Sequence, residues 1–161
     1  MVKLDEYDLK ILRVLQRDGR TTKVKLAEKV GLSPSPTWER LRRLEKAGVI
    51  TGYQASLDPK SFGSTTTVMV EVLLKHHGVD DFKRFETAVT AKSEVVECLA
   101  TGGGVDYIMR VVVRDIDTYQ RFMDNLLETD VGIDRYFSFV VTKPVKTHSG
   151  LPLDILAEDL S

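Results

Sequence analysis

The chain has 161 residues, of which 42% are hydrophobic and 29% charged, with a net charge of −1. That is the composition of a globular protein, enough for one ordinary domain or two small ones. No apolar run approaches the roughly 18 residues of a membrane span, the opening "MVKLDEYDLK" is too charged for a signal peptide, and Cys98 as the one cysteine excludes an intrachain disulfide or a cysteine zinc cluster.

A reducing cytoplasm, with no metal and no cofactor, is therefore expected. The charge is unevenly spread. Residues 1–60 carry 13 Lys/Arg against 8 Asp/Glu, a net +5, while the remainder carries 10 against 16, a net −6. A basic front and an acidic back imply two modules with different partners, the front one facing a polyanion.

In chain order, the front reads as three helices. Asp5 is placed to cap the first, whose Leu9, Leu12 and Leu15 recur at helical spacing and which ends near Gly19. Thr21 or Thr22 caps a short second helix with Leu26, Ala27 and Val30 on one face, closed by Gly31. The third carries Trp38, Leu41 and Leu44 inward and stops at Gly48. Then "VITGYQASLD" alternates like a short strand, and "DPKSFGS" reads as a hinge.

From Thr65 the period changes. "TTTVMVEVLL" is a β-branched strand, "VDDFKRFETAV" a helix with Phe82, Phe85 and Val89 inward, and "EVVECLAT" and "VDYIMRVVV" two strands separated by three glycines. "DIDTYQRFMDNLL" is a helix with Ile116, Tyr119, Phe122, Met123 and Leu126 inward, and "IDRYFSFVVTKPV" a last strand. The order βαββαβ is that of a ferredoxin-like unit with two helices on one face of an antiparallel sheet. The other face then needs a cover, for which a second subunit is the natural candidate. The expected fold is α+β: a helix-turn-helix domain over 1–52, a linker over 53–64 and a ferredoxin-like domain over 65–161.

Two short helices joined at a glycine turn, followed by a basic helix, form a helix-turn-helix. On a wheel, Glu39, Arg42, Arg43 and Lys46 lie opposite the apolar side of the third helix, with Arg40 on a flank. A major groove admits such a helix, its phosphate walls attract arginine, and arginine can take guanine's two acceptors. An amphipathic surface helix is the plainer reading of the same pattern.

"DGRTTKVKLAEKVGLSPSPTWERLRRLEKAGVITGYQASLDPKSFG" resembles the N-terminal domain of the Lrp/AsnC feast/famine transcriptional regulators, through Leu26-Ala27, Gly31-Leu32-Ser33, Arg40, Arg43-Leu44-Glu45, Gly48-Val49-Ile50 and Gly52-Tyr53. Thr101-Gly102, Asp106-Tyr107 and "VKTHSGLPL" extend the likeness over the back half. The resemblance implies a homodimeric regulator of double-stranded DNA, acting at the nucleoid and often assembled into octamers. Its ferredoxin-like domain would bind a small effector, usually an amino acid. Candidate DNA contacts are Ser33, Ser35 and Thr37 at the helix entry, with Glu39, Arg40, Arg42, Arg43 and Lys46 along it.

Pro34 and Pro36 stand at that entry without breaking the helix, because first-turn N–H groups have no intrahelical acceptor. Ser33 as cap fits the family's "LS" start, and Ser35 as cap fits the bias of a residue before proline.

Gly102, Gly103 and Gly104 leave backbone N–H groups that can cradle a carboxylate, with Asp106 close by for an ammonium. A hairpin turn is the other reading. In the family the effector sits between subunits near this loop, the second helix and the last strand, which by position adds Asp124, Tyr136 and Ser138. The family form sets two residues between glycine and aspartate; this spacing holds from Gly103 and is exceeded by one from Gly102. His76 and His77 are adjacent and point to opposite faces, a poor metal geometry. His148 has no partner spacing, and Cys98 lies in an apolar strand. No catalytic constellation stands out, so an enzyme is not expected. An architectural, chromatin-like DNA-binding protein without a ligand is the alternative function.

Overall fold

The computed structural model describes residues 3–147 and 150–156. The chain divides into two compact units, one running to Ser56 and joined by the tail from Lys146, the other Leu57–Val145. These limits differ from the expected ones: the second unit starts within the linker, and the tail joins the first.

In the first unit, α1 (Glu6–Arg17) begins in a reciprocal capping box between Asp5 and Asp8. It buries Asp8, Ile11 and Leu12. Leu9, expected inward, lies outside the core cluster, because the helix is rolled towards Asp8 and Ile11. Helix α2 (Lys23–Val30) is capped by Thr22, whose hydroxyl accepts from the Lys25 N–H at 3.3 Å. It ends at Gly31 with φ 76°, a conformation that costs other residues a Cβ clash.

Helix α3 (Pro34–Lys46) starts directly after Ser33, which has extended φ/ψ and makes no side-chain cap bond. Ser33 is therefore the cap by backbone geometry, and Pro34 is the first helical residue. Ile11, Leu26 and Leu44, each 0–1% exposed, form the centre of this unit's core. Leu153 of the tail helix α6 (Leu153–Leu156) packs against the same cluster, and Asp154 accepts from Arg13 at 2.5 and 3.0 Å.

The strand expected in "VITGYQASLD" does not form. Residues 51–58 carry no regular structure and are exposed. An alternating pattern becomes a strand only where a second strand takes its hydrogen bonds, and none lies beside it among the described residues. Tyr53 is held instead by its hydroxyl, which donates to Glu45 at 2.9 Å. Burial, together with that bond, pushes the phenol up to about 12.

The second unit comprises a 3-10 turn (Pro59–Phe62), β1 (Thr66–Leu74), α4 (Val79–Thr90), β2 (Val95–Ala100), β3 (Tyr107–Val113), α5 (Ile116–Glu128) and β4 (Ile133–Val140). The antiparallel sheet has the order β2-β3-β1-β4. Alternation fixes its two faces. Val68, Val70, Val72 and Leu74 of β1 and Tyr107, Met109 and Val111 of β3 point to one side, where Phe85 and Val89 of α4 and Phe122, Met123 and Leu126 of α5 join them in a single core. Both helices therefore cover the same face. Ile116, expected inward, is exposed, since it is the first residue after the Asp115 cap and precedes the buried stripe.

The opposite face carries Met69, Glu71 and Leu73 of β1, Ile108 and Arg110 of β3, Leu99 of β2, and Phe137 and Phe139 of β4, by the strand registers. Leu99, Phe137 and Phe139 remain about half exposed, at 53%, 48% and 52%. Among the described residues, no element of this unit covers them, and no helix is long and apolar enough to cross a membrane.

Candidate DNA interface and effector loop

The outward stripe of α3 consists of Ser35, Glu39, Arg42 and Lys46, all exposed and spaced by four, three and four residues. Ser33 stands exposed at its entry with a hydroxyl not used for capping. The other expected contacts are placed differently. Thr37 is 1% exposed, and its hydroxyl donates to the Ser33 carbonyl at 2.9 Å. It belongs to the packed side of the helix, a placement the sequence does not reveal because threonine is a small polar residue that fits either side.

Arg40 and Arg43 turn back towards α1. Arg40 Nη1 reaches Asp5 at 2.6 Å and Asp8 at 3.0 Å, and Arg43 Nη2 donates to Asp8. The hydrogen bond that Arg40 donates to Asp5, opposed by burial, raises its guanidinium further above its ordinary value. Both arginines thus join α3 to α1 rather than standing free.

Trp38 is half-buried against the core, with Lys23 Nζ 3.2 Å from its ring centroid and the Arg42 guanidinium 5.7 Å away. Cations over an indole face are attracted by its quadrupole. The ring therefore gathers Lys23, from the start of α2, and Arg42 on the same side of the unit. Lys23 was not legible beforehand, because its place depends on how α2 crosses α3. The patch offers several cations, hydroxyls and one carboxylate on a rod of groove-fitting width, the chemistry that meets phosphates and base edges.

In the second unit, the glycine loop is closed at its neck by Thr101, whose N–H donates to the Asp106 carbonyl at 2.9 Å and whose hydroxyl donates to the Val105 carbonyl at 2.6 Å. Gly103 has φ 144°, the one position of the three where a side chain would be strained. All three glycines are exposed, and no hydrogen bond among the described residues uses their N–H groups. Asp106 is anchored: its N–H donates to the Val72 carbonyl, and its carboxylate accepts from the Leu74 N–H at 2.7 Å and pairs with His77 at 3.0 Å. His77, exposed on the surface, is thus part of the loop's support.

The remaining expected residues lie apart. Asp124 is exposed on α5 and accepts from Gln120 one turn earlier at 2.9 Å. Tyr136 packs against the core, and the Ser138 hydroxyl is bonded to that of Tyr119, whose phenol burial raises. Among the described residues, no hydrogen bond or ion pair joins the loop to Asp124, Tyr136 or Ser138 within one chain. Cys98 is a half-buried free thiol, raised by burial and by Glu86. No group of three metal-ligating side chains occurs among the described residues, and His148 lies outside them.

Two family models match the chain in the order the two units suggest. Residues 4–51 match a winged helix-turn-helix DNA-binding model, and residues 67–151 match the Lrp/AsnC ligand binding domain. The chain belongs to the Lrp/AsnC family of transcriptional regulators. It is 55% identical to the transcriptional regulatory protein DoeX of Halomonas elongata, over 97% of this chain and 99% of that one. It is 38% identical to the leucine-responsive regulatory protein of Escherichia coli K12, over 92% and 90%. Among solved structures, a transcriptional regulator from Neisseria meningitidis in complex with L-Met superimposes with a TM-score of 0.89 at 36% identity, covering 95% of this chain and 99% of that one. The Lrp/AsnC relatives are regulators rather than enzymes, and the α+β arrangement of a helix-turn-helix unit followed by a ferredoxin-like unit is the one their structures share.

Proposed function

We propose that this Lrp/AsnC chain acts as a homodimer that grips double-stranded DNA through the Ser35–Glu39–Arg42–Lys46 stripe, and that an amino acid or related metabolite alters that grip. The exposed stripe carries the DNA half of the reading. Ser33 and Lys23 flank it, and a twofold pair of such helices would meet two half-sites about one helical turn, or a multiple, apart.

The uncovered sheet face supports the homodimer, since a row of half-exposed phenylalanine and leucine is the surface a second copy would bury. Association of dimers up to an octamer is then the equilibrium an effector would shift, provided it binds one state better than another. For the effector, the free amides of Gly102, Gly103 and Gly104 suit a carboxylate. Asp124, with Gln120 as its partner, suits an ammonium, and Asp106 serves mainly to hold the loop's end. Tyr136 and Ser138 offer hydroxyls from the last strand. Because these groups are not linked within one chain, a site completed by a second subunit accounts for them best. The L-Met bound by the Neisseria relative supports an amino acid as the class of effector.

Arg42→Ala tests the DNA reading. Removing a side chain that meets guanine or phosphate is expected to weaken binding roughly 5-fold to 150-fold, as loss of about 1–3 kcal/mol implies. A mobility-shift titration measures it, and unchanged binding with an intact fold would reject α3 as the reading helix.

A further inference from the structure

The sequence pattern of α3 assigns its arginines to DNA, yet the structure withdraws two of them. Asp8 is 0% exposed, although it carries a carboxylate. Its Oδ1 accepts from Arg40 at 3.0 Å, and its Oδ2 accepts from Arg43 and from the Asp5 N–H. Asp5 completes the set: one oxygen accepts from the Asp8 N–H at 3.0 Å and the other from Arg40 at 2.6 Å. Every carboxylate oxygen thus has a donor, and the two acids neutralise the two arginines. A buried carboxylate needs such pairing, and a fully bonded cluster holds one geometry.

We infer that Asp8 is a positioning and specificity-determining residue for DNA recognition, fixing α3 against α1 and withholding Arg40 and Arg43 from phosphate. The inference rests on α3 being the reading helix. Two consequences follow from the geometry. The clamp ties the DNA-reading helix to α1 through its own side chains, so base contacts are made from one fixed angle. It also removes two cations from the sequence-independent attraction that phosphates exert on any free arginine.

The test uses the full chain and two duplexes of equal length, one selected for tight binding and one unrelated, titrated over a range of salt. Circular dichroism establishes that each variant is folded. Asp8→Asn is expected to lower the ratio of selected to unrelated affinity at least tenfold. It should also steepen the dependence of log K on log salt, because each further phosphate neutralised adds about 0.9 to the slope. Arg43→Gln, at an exposed position, is expected to leave that slope unchanged, and Asp8→Glu to restore part of the ratio. A slope flattened by about 0.9 per site in Arg43→Gln would mean that Arg43 already touches phosphate, and would overturn the inference. So would an Asp8→Asn protein that is folded and has wild-type ratio and slope. Should Asp8→Asn not fold, Arg43→Gln decides. Arg42→Ala is the control: if it leaves binding intact, α3 is not the reading helix and the inference goes with it. If Arg42→Ala weakens binding while Asp8→Asn does nothing, only the inference fails.

Discussion

Replacing Phe137 and Phe139 together by aspartate is expected to turn the proposed homodimer into monomers and to cost most of the DNA affinity. The two rings are 48% and 52% exposed on β4 and lie on the sheet face that α4 and α5 leave bare. In register they stand beside Glu71 and Met69 of β1, so they are continuous with the centre of the sheet. Burying the exposed half of each ring is worth about 2 kcal/mol. Losing both from each subunit, and burying carboxylates in their place, weakens a dimer by at least about 4 kcal/mol, or roughly a thousandfold. Sedimentation velocity reads the change directly. The inner core is untouched, so circular dichroism should stay native. A double variant that still sediments as the wild type would place the subunit interface elsewhere.

Phe85→Ala should produce the largest loss of stability in the second unit, about 3–5 kcal/mol. Phe85 is fully buried, its ring centroid lies 4.5 Å from that of Tyr107, and it belongs to the cluster shared by both helices and the sheet. Loss of this size is a large share of the roughly 5–15 kcal/mol that a domain typically has. Trp38, the one tryptophan, lies in the first unit and so reports on that unit alone. In a denaturant titration the far-ultraviolet signal should gain an early transition, while the Trp38 fluorescence transition stays in place. Equal shifts of both signals would show that the two cores unfold as one.

Much of this organisation is legible in the sequence because local rules and tertiary packing agree. Asp5, Thr22, Ser33 and Asp115 stand where helices begin, and Gly31 and Gly48 take positive φ where two of them end. The alternation of β1 and the stripe of α5 fix which residues meet in the core. What is not legible depends on how helices roll and cross. Leu9 and Ile11 are equally apolar, yet Ile11 shares the inward side with the clamped Asp8 and Leu9 does not. Thr37 faces the core, where a carbonyl one turn back along the chain satisfies its hydroxyl. Arg40 and Arg43 look like DNA ligands until α1 places two carboxylates beside them. The expected strand at residues 49–58 fails for a further reason: pairing requires a partner, and sequence alternation cannot supply one.

For the candidate effector site, the glycine loop and Asp106 could be read directly, whereas His77 could not, because it is brought in from the end of β1. Asp124, Tyr136 and Ser138 follow only from family position, and within one chain no hydrogen bond or ion pair among the described residues joins them to the loop.

This chain is expected to read DNA, and a small amino-acid-like molecule to change how it does so. Selection of bound duplexes from a random pool, repeated with each of the twenty amino acids, tests both halves at once. A shared sequence pattern with twofold symmetry is expected, with at least one amino acid changing affinity for it or the spacing of half-sites several-fold. A pool that shows no common pattern, or a pattern that no amino acid alters, would contradict the account.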